Sequence, residues 1–281
     1  MAMDERGLGK RLQKARQAAG LTQQQLCQQA NLSFSTLTKI ERGAIKSPSI
    51  FTIQAIAGTL RLSLDELVGQ VTPVKHYKKT KSGARFIYFD VNGCLVLYYQ
   101  RAFAEISKDT GVPIDIVETA YWHFNEEACL GQITVQELNE KFAKRIGVES
   151  LDWVKYYLSV IEPVKEMHEL LIWASENYKV GLLTNIMPGL ISTMKKDGLL
   201  PNIEYDAIVD SSEVGVTKPN PKIYEIARDL AGYPAEEILF IDDLRPNLTA
   251  AEKQGWNILS FDDAQPEQSA KYIRQALEPA D

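Results

Sequence analysis

Residues 85–95 read RFIYFDVNGCL, an apolar run that ends in an acidic residue and a glycine-containing turn. Further short apolar runs follow, and segments with helical spacing of apolar residues separate them. The runs are KVGLLTN (179–185), DAIVD (206–210), EILFIDD (237–243) and NILSF (257–261). Buried strands that alternate with helices are typical of a parallel, doubly wound sheet. Residues 85–281 are therefore predicted to form an α/β domain.

The interval between the first two runs breaks this alternation. It contains no convincing strand and several amphipathic helical stretches, so we predict a helical insert at about residues 98–161. Aromatic residues at helical spacing usually fill a core, but some of those in the insert are candidates for lining a pocket. These candidates are Tyr98, Tyr99, Trp122 and Phe124. The histidines show no spacing typical of a metal site.

The N-terminal region has a different pattern, with short helical segments between residues 8 and 67. Gly20 and Gly43 are placed to end helices, and Thr22, Ser33 and Ser63 are placed to begin them. This pattern predicts an all-α bundle of about five small helices in a domain covering residues 1–69. Residues 70–84 are basic and polar without periodicity, which predicts a linker.

Charge divides the 281-residue chain at about the same place. Residues 1–85 hold 14 basic and 5 acidic residues, a net charge of +9, whereas the remainder carries −15. A basic segment joined to an acidic one indicates a polyanion-binding part attached to something else. The basic residues of the linker either follow a nucleic-acid backbone or are simply solvated.

Composition excludes several classes of protein. The three cysteines are scattered and without paired spacing, so neither a disulfide framework nor a zinc site is predicted. No apolar run approaches the roughly 20 residues that a membrane span needs. The N-terminal stretch MAMDERGLGKR lacks the apolar core of a secretory signal. A cytoplasmic protein that does not enter membranes is expected.

The stretch LTQQQLCQQANLSFSTLTKIERG (21–43) resembles the Cro/repressor (XRE) type of helix-turn-helix. Leu37 and Ile40 lie on the inner face of the third helix, which leaves the start of that helix to enter a major groove of double-stranded DNA. The resemblance implies base-edge contacts from Ser35, Thr38 and Lys39, a thymine-methyl contact from Phe34, and phosphate contacts from Gln23, Arg42 and Lys46. A homodimer is expected because such readers usually engage two half-sites. The alternative is a bundle for protein contacts, with Glu41 and Arg42 paired on its surface.

Four further stretches read FDVNGCL (89–95), LLTN (182–185), VTKPNPKIY (216–224) and IDDLRPN (241–247). In order and spacing they resemble the four motifs of the haloacid dehalogenase-like (HAD-like) hydrolases. The resemblance implies a Rossmann-like sheet, a helical cap formed by the insert, and a small phosphorylated metabolite as substrate. It implies that Asp90 attacks phosphorus to form an aspartyl-phosphate, that Lys218 supplies a fixed cation and that Thr184 donates a hydrogen bond. Mg²⁺ would be held by Asp90, the Asn92 carbonyl, and Asp242 or Asp243.

Asn92 departs from the family pattern, in which a second aspartate two residues after the nucleophile acts as general acid and base. An amide can do neither. Three interpretations stay open. The domain is a phosphatase in which another group supplies the proton, a dehalogenase whose halide needs none, or a degenerate domain that senses a phosphorylated metabolite and modulates DNA binding. The retained pair Asp242 and Asp243 argues against the dehalogenase, because family dehalogenases use no metal.

Overall fold

The structure is a computed structural model that describes residues 7–64, 67 and 77–278. The chain divides into two compact units, Met1–Lys75 and His76–Asp281. Within the described residues, no helix is long and apolar enough to cross a membrane.

The first unit is helical, as predicted. Its helices are α1 (Leu8–Ala18), α2 (Gln23–Gln29), α3 (Phe34–Glu41) and α4 (Ile50–Leu60). Thr22 begins α2 in a capping box with Gln25, and Ser33 and Ser49 cap the next two helices through their hydroxyl groups. The core residues Leu12, Leu26, Leu37 and Ile56 are fully buried. The predicted final turn near Leu67 lies partly outside the described residues.

The second unit contains a five-stranded parallel sheet, which confirms the predicted strands. In chain order its strands are β1 (Phe86–Phe89), β4 (Lys179–Thr184), β5 (Ala207–Asp210), β6 (Ile238–Asp242) and β7 (Asn257–Ser260). Their order in the sheet is β5-β4-β1-β6-β7, with every pair parallel. Ile87 and Phe89 belong to the core on one face, whereas Phe86 and Tyr88 belong to the core on the other. Both faces are therefore covered, as in a doubly wound fold.

The predicted insert consists of helices that pack on one another. They are α5 (Arg101–Thr110), α6 (Ile114–Cys129), α7 (Val135–Ile146) and α8 (Trp153–Val160). Trp153 is completely buried at the centre of this cap, with its ring centroid 4.2 Å from that of Tyr121 and 5.7 Å from that of Phe103.

A short antiparallel ribbon, absent from the sequence prediction, brackets the cap. It pairs β2 (Val96–Leu97) with β3 (Glu162–Pro163). The remaining helices surround the sheet: α9 (Lys165–Asn177), α10 (Leu190–Lys196), α11 (Ser211–Val214), α12 (Pro221–Ala231), α13 (Arg245–Lys253) and α14 (Pro266–Leu277).

Part of the predicted linker is packed into the second unit. The Lys78 N–H donates to the Asn177 carbonyl at 2.8 Å, and the Lys79 ammonium lies 2.8 Å from Glu237. Thr80 and Ala84 are buried and hydrogen-bonded to each other. Thr80 and Ala84 thus anchor this stretch to the second unit, whereas the side chains of Lys78, Lys79 and Lys81 are exposed, and residues 70–76 lie outside the described residues.

Candidate functional site

The polar residues at the carboxyl ends of the strands lie together at one edge of the parallel sheet. Asp90 follows β1 directly, and its N–H donates to the Ile241 carbonyl at 2.9 Å. Thr184 ends β4 and Asp242 ends β6. Lys218 reaches the same place from the loop before α12. This edge is where ligands bind in open α/β sheets.

One buried lysine bridges two of the carboxylates. The Lys218 ammonium lies 2.8 Å from Asp90 Oδ1 and 2.6 Å from Asp242 Oδ2. All three side chains are buried. Burial alone would lower the pKa of Lys218, but the two carboxylates outweigh that effect and raise it. Lys218 is thus a fixed cation.

The cluster nevertheless carries more negative than positive charge. Burial raises the pKa of Asp90 to about 7; Lys218 opposes the shift and Asp242 adds to it. Burial, followed by the charge of Asp242, raises the pKa of Asp243 to about 6. Such raised pKa values mean that the nearby cations do not fully offset the cost of burying the ionised carboxylates.

The donor set fits a hard divalent cation. Asp90, Asp242 and Asp243 each offer an oxygen, and these oxygens lie within 4.8 Å of one another. Asp243 Oδ1 and Thr184 Oγ1 are buried without a hydrogen-bond partner among the described residues. Buried polar atoms of this kind are usually completed by an ordered water, an ion or a bound ligand. Oxygen ligands are those that Mg²⁺ takes.

Two amides that sequence reasoning did not assign hold the cluster in place. Asn247 donates to both Asp242 oxygens at 3.1 Å, and the Leu244 N–H donates to Asp242 Oδ1 at 2.7 Å. Asn185 exchanges hydrogen bonds of 2.7 and 2.9 Å with the main chain of Lys218. Asn185 ends the run 179–185 and Asn247 follows the run 237–243, and these positions were their only signal in the sequence.

Asn92 lies at the edge of the cluster and is connected to the cap. Its side-chain oxygen accepts a hydrogen bond of 2.5 Å from the hydroxyl of Tyr157 on α8. Burial raises the pKa of Tyr157, so this hydroxyl stays protonated at neutral pH.

A cavity of about 300 Å³ opens beside Asp90 between the sheet edge and the cap. Tyr98, Tyr99 and Trp122 line it, as the sequence suggested. Phe124 does not; it packs below Lys141 and Arg145 instead, with the cations 5.7 and 5.9 Å from its ring centroid. Aromatic residues that the sequence did not single out complete the wall: Tyr121, Trp153 and Tyr157.

The predicted DNA-reading residues lie at the start and along the outer side of α3. Leu37 and Ile40 are buried, whereas Phe34 is half exposed and Ser35 and Lys39 are exposed. Thr38 is partly buried, and Arg42 follows the helix as an exposed C-cap. The exposure of Phe34, Ser35 and Lys39 is that expected of a helix that enters a groove, whereas the hydroxyl oxygen of Thr38 is buried.

Glu41 and Gln23 form hydrogen bonds inside the first unit that the sequence did not predict. Glu41 is buried and pairs with Arg16 at 2.7 Å, not with Arg42 on the surface. The Gln23 amide donates to the other Glu41 oxygen at 2.7 Å, so it holds α2 against α3. A phosphate contact from Gln23 would require that amide to be shared.

Known proteins match both units. A helix-turn-helix model matches residues 12–67, and a haloacid dehalogenase-like hydrolase model matches residues 85–255. The chain belongs to the haloacid dehalogenase-like hydrolase family. Its N-terminal unit is a helix-turn-helix of the XRE type, fused to the HAD-like hydrolase unit.

Among relatives, the immunity repressor protein of Bacillus phage phi105 is 41% identical over 68 residues, which is 24% of this chain and 46% of that protein. The pyrimidine 5'-nucleotidase YjjG of Escherichia coli is 31% identical over 123 residues, 40% of this chain and 54% of that enzyme. The chain spans about half, or less, of the length of the curated relatives it matches.

The fold matches that of HAD family enzymes. A magnesium complex of such an enzyme from Bacteroides thetaiotaomicron has a TM-score of 0.55 at 22% identity. The match covers 63% of this chain and 93% of that one.

Proposed function

We propose that this protein is a DNA-binding transcriptional regulator whose HAD-like unit is a magnesium-dependent phosphatase. The observation that carries the phosphatase is the over-acidic cluster of Asp90, Asp242 and Asp243 around Lys218, in which Asp243 Oδ1 has no partner among the described residues. Such a cluster suits a phosphate group bound together with a divalent cation. The relative that acts on nucleotides and the neighbour crystallised with magnesium support the same class.

In this proposal Asp90 is the nucleophile. One of its carboxylate oxygens forms a bond to phosphorus while the bond from phosphorus to the ester oxygen breaks, and the leaving oxygen takes the electron pair. Lys218 offsets the charge of the phosphoryl oxygens, and Thr184 donates its otherwise unpartnered hydroxyl hydrogen to one of them. Water then attacks phosphorus, which releases phosphate and restores the Asp90 carboxylate.

Asp90, Asp243 and the Asn92 main-chain carbonyl are the groups proposed to hold magnesium. The ion, when bound, neutralises phosphate charge that a single lysine cannot offset. Asp242 already accepts hydrogen bonds from Lys218, Asn247 and the Leu244 N–H, so its role is to position Lys218.

The test of the phosphatase is hydrolysis of 4-nitrophenyl phosphate by the full chain, with Mg²⁺ or with EDTA. Phosphate release is expected only with Mg²⁺ and is expected to vanish in Asp90→Asn. The control is Asp229→Asn, an exposed carboxylate outside the cluster, which should hydrolyse like the wild type. Equal rates in Asp90→Asn and the wild type would remove Asp90 from the mechanism.

The DNA-binding role is carried by the exposed face of α3. We propose that Ser35, Thr38 and Lys39 read base edges, that Phe34 contacts a thymine methyl, and that Arg42 and the N-terminal end of α2 near Gln23 contact phosphates. An immunity repressor protein of a phage is one relative that matches this unit. A gel-shift series over fragments of the upstream region should show binding that weakens with salt. The absence of binding to every fragment at low salt would refute it.

A second candidate function is supported by Asn92. With an amide at this position, the HAD-like unit binds a phosphorylated metabolite without turnover and alters DNA affinity. Measuring phosphate release and DNA affinity together across a metabolite panel separates the two. A metabolite that shifts DNA affinity and is recovered intact favours the sensor.

A further inference from the structure

The cavity beside Asp90 has an aromatic wall. It is formed by Tyr98, Tyr99, Tyr121, Trp122, Trp153 and Tyr157. Trp122 and Tyr98 line the cavity and are still 47% and 41% exposed, respectively. Large aromatic rings left open at a concave site are typical of ligand recognition.

The backbone at Tyr98 holds its ring at the cavity. Tyr98 has a φ of 72°, a left-handed conformation that is uncommon for an aromatic residue. The Arg101 guanidinium lies over the ring at 3.7 Å from its centroid, and Arg101 is itself paired with Glu162. The ring is therefore supported from one side by a residue that does not line the cavity.

The charge of the cavity lining disfavours a second anionic group on the substrate. Among the described residues of the lining, Lys218 is the one cation, and it is already paired with Asp90 and Asp242. Asp243 and Asp263 add further negative charge to the lining. A carboxylate or second phosphate on the substrate would meet like charge without a partner.

The leaving group receives little help from a proton donor. Asn92 stands where the family places a general acid, and the Tyr157 hydroxyl donates to the Asn92 oxygen. A phenol-type oxygen, with a pKa near 10, departs as an anion far more readily than an alcohol oxygen, whose pKa is near that of water at about 15.7. Esters of phenols tolerate the loss of the acid best.

From these observations together we infer that the site hydrolyses an aryl phosphate: a phosphomonoester whose oxygen is attached directly to an uncharged aromatic ring. The inference rests on the phosphatase proposed above. The Asp90 oxygen bonds to phosphorus as the bond to the aryl oxygen breaks, and the electron pair leaves on the phenolate, which takes its proton from solvent. Water then hydrolyses the aspartyl-phosphate.

The experiment compares kcat/KM of the full chain with Mg²⁺ for phenyl, benzyl and 4-carboxyphenyl phosphate. Benzyl phosphate keeps the ring but leaves as an alcohol, and the carboxyphenyl ester adds a negative charge. Phenyl phosphate is expected to exceed benzyl phosphate by about 10²-fold or more, and Asn92→Asp is expected to narrow that ratio at least about tenfold. The carboxyphenyl ester is expected to lose about tenfold relative to phenyl phosphate. Equal constants for the three esters would overturn the inference while leaving the phosphatase intact.

Substitutions of Trp122 test whether the aromatic wall of the cavity contacts the substrate. Trp122→Ala is expected to raise KM for phenyl phosphate about tenfold with a smaller change in kcat, and Trp122→Phe should restore most of it. Tyr272→Ala is the control, because Tyr272 is exposed on α14 and does not line the cavity. A KM unchanged in Trp122→Ala would overturn the aromatic contact.

Failure of the phosphatase itself has a distinct signature. If no ester is hydrolysed in an Asp90-dependent way, the proposed reaction is wrong. The preference for an aromatic ring is then tested by measuring, with calorimetry, how tightly phenylphosphonate and methylphosphonate bind in the presence of Mg²⁺. Tighter binding of phenylphosphonate supports the aromatic wall, and equal binding refutes it.

Discussion

Each unit buries a charged cluster, and the two clusters differ in balance. In the helix-turn-helix unit, Arg16 pairs one-to-one with Glu41 and donates to both of its oxygens, and Gln23 donates to one of the two. In the HAD-like unit, Lys218 stands among more carboxylates than it can neutralise, and Asp243 Oδ1 has no partner within the described chain.

The difference teaches how to separate a structural cluster from a functional one. Burial of charge costs free energy unless partners compensate for it. The pair in the first unit is compensated by the protein alone, and it fixes α1, α2 and α3 relative to one another. The negative charge of the cluster in the second unit is compensated only when a cation or another ligand binds. A protein that retains such an unfavourable buried charge does so for a function, so the cluster indicates a ligand site.

The largest effect is expected from Asp90→Asn, which removes one carboxylate from the cluster of the second unit. Hydrolysis is expected to fall at least about 10³-fold, because an amide is no nucleophile. The melting temperature without Mg²⁺ is expected to stay the same or rise, because the change removes repulsion with Asp242. Measuring the hydrolysis rate and the melting temperature of the same preparation checks both predictions. An Asp90→Asn protein that is inactive because it unfolds would show that the cluster is needed for stability.

Glu41→Ala is expected to have the opposite effect, a loss of stability without a loss of hydrolysis. It strands the Arg16 guanidinium in a buried position, so the first unit is expected to lose about 3–5 kcal/mol of stability while hydrolysis is unchanged. Urea unfolding followed by circular dichroism measures the loss, with exposed Gln28→Ala as control. A loss under about 1 kcal/mol would place the pair among ordinary surface ion pairs.

Magnesium should stabilise the protein more at pH 8 than at pH 5. The pKa values of Asp90 and Asp243, raised to about 7 and about 6, mean that the folded ion-free protein holds more protons than the unfolded chain. Its stability therefore falls as pH rises from about 4 to about 7, and an ion that needs the ionised carboxylates restores it.

Thermal unfolding with and without Mg²⁺ at the two pH values is the measurement. At 100 times the Kd the gain at pH 8 should be about 2.7 kcal/mol. Asp243→Asn should reduce it. Equal Mg²⁺ effects at both pH values would show that these carboxylates do not hold the ion.

The smallest expected effect concerns DNA. Lys39→Ala should weaken specific binding by about 1–3 kcal/mol, and Arg42→Ala should lower the salt slope by about 1 across all sequences. Lys165→Ala is the control, because its ammonium is exposed on the second unit. Fluorescence anisotropy over a salt series gives both quantities. Loss of affinity in the control equal to that in Lys39→Ala would argue against α3 as the reader.

Much of this architecture was predictable because buried parallel strands are continuous apolar runs. The five sheet strands and the start of α3 at Ser33 lie where the sequence placed them. Asp90, Lys218 and Asp242 also meet as the motif order indicated, since the carboxyl ends of parallel strands share one edge.

Other features depend on long-range contacts that leave no periodic signal. The hydrogen bond between Tyr157 and Asn92 joins residues 65 positions apart. Asn185 and Asn247 act through their orientation, which residue type alone does not reveal. Residues 77–84 read as a linker because they are basic and polar, yet Ala84 is completely buried. Burial of a single small residue is too weak a pattern to detect in a sequence.

The ribbon of β2 and β3 joins the two ends of the helical cap, which bears on whether the cap can be replaced as one piece. Leu97 pairs directly with Glu162, so the cap leaves the sheet domain and returns to it at neighbouring positions. Neighbouring strands lie about 5 Å apart, a gap that a two-residue hairpin closes. The insert thus leaves and re-enters the sheet domain at one place, while Asp90, Asp242 and Asp243 lie outside it. Replacing the insert by that of another family member would therefore change which molecules reach the site while keeping the carboxylates, provided that the contacts of Tyr157 with Asn92 and of Cys129 with Ser211 are kept.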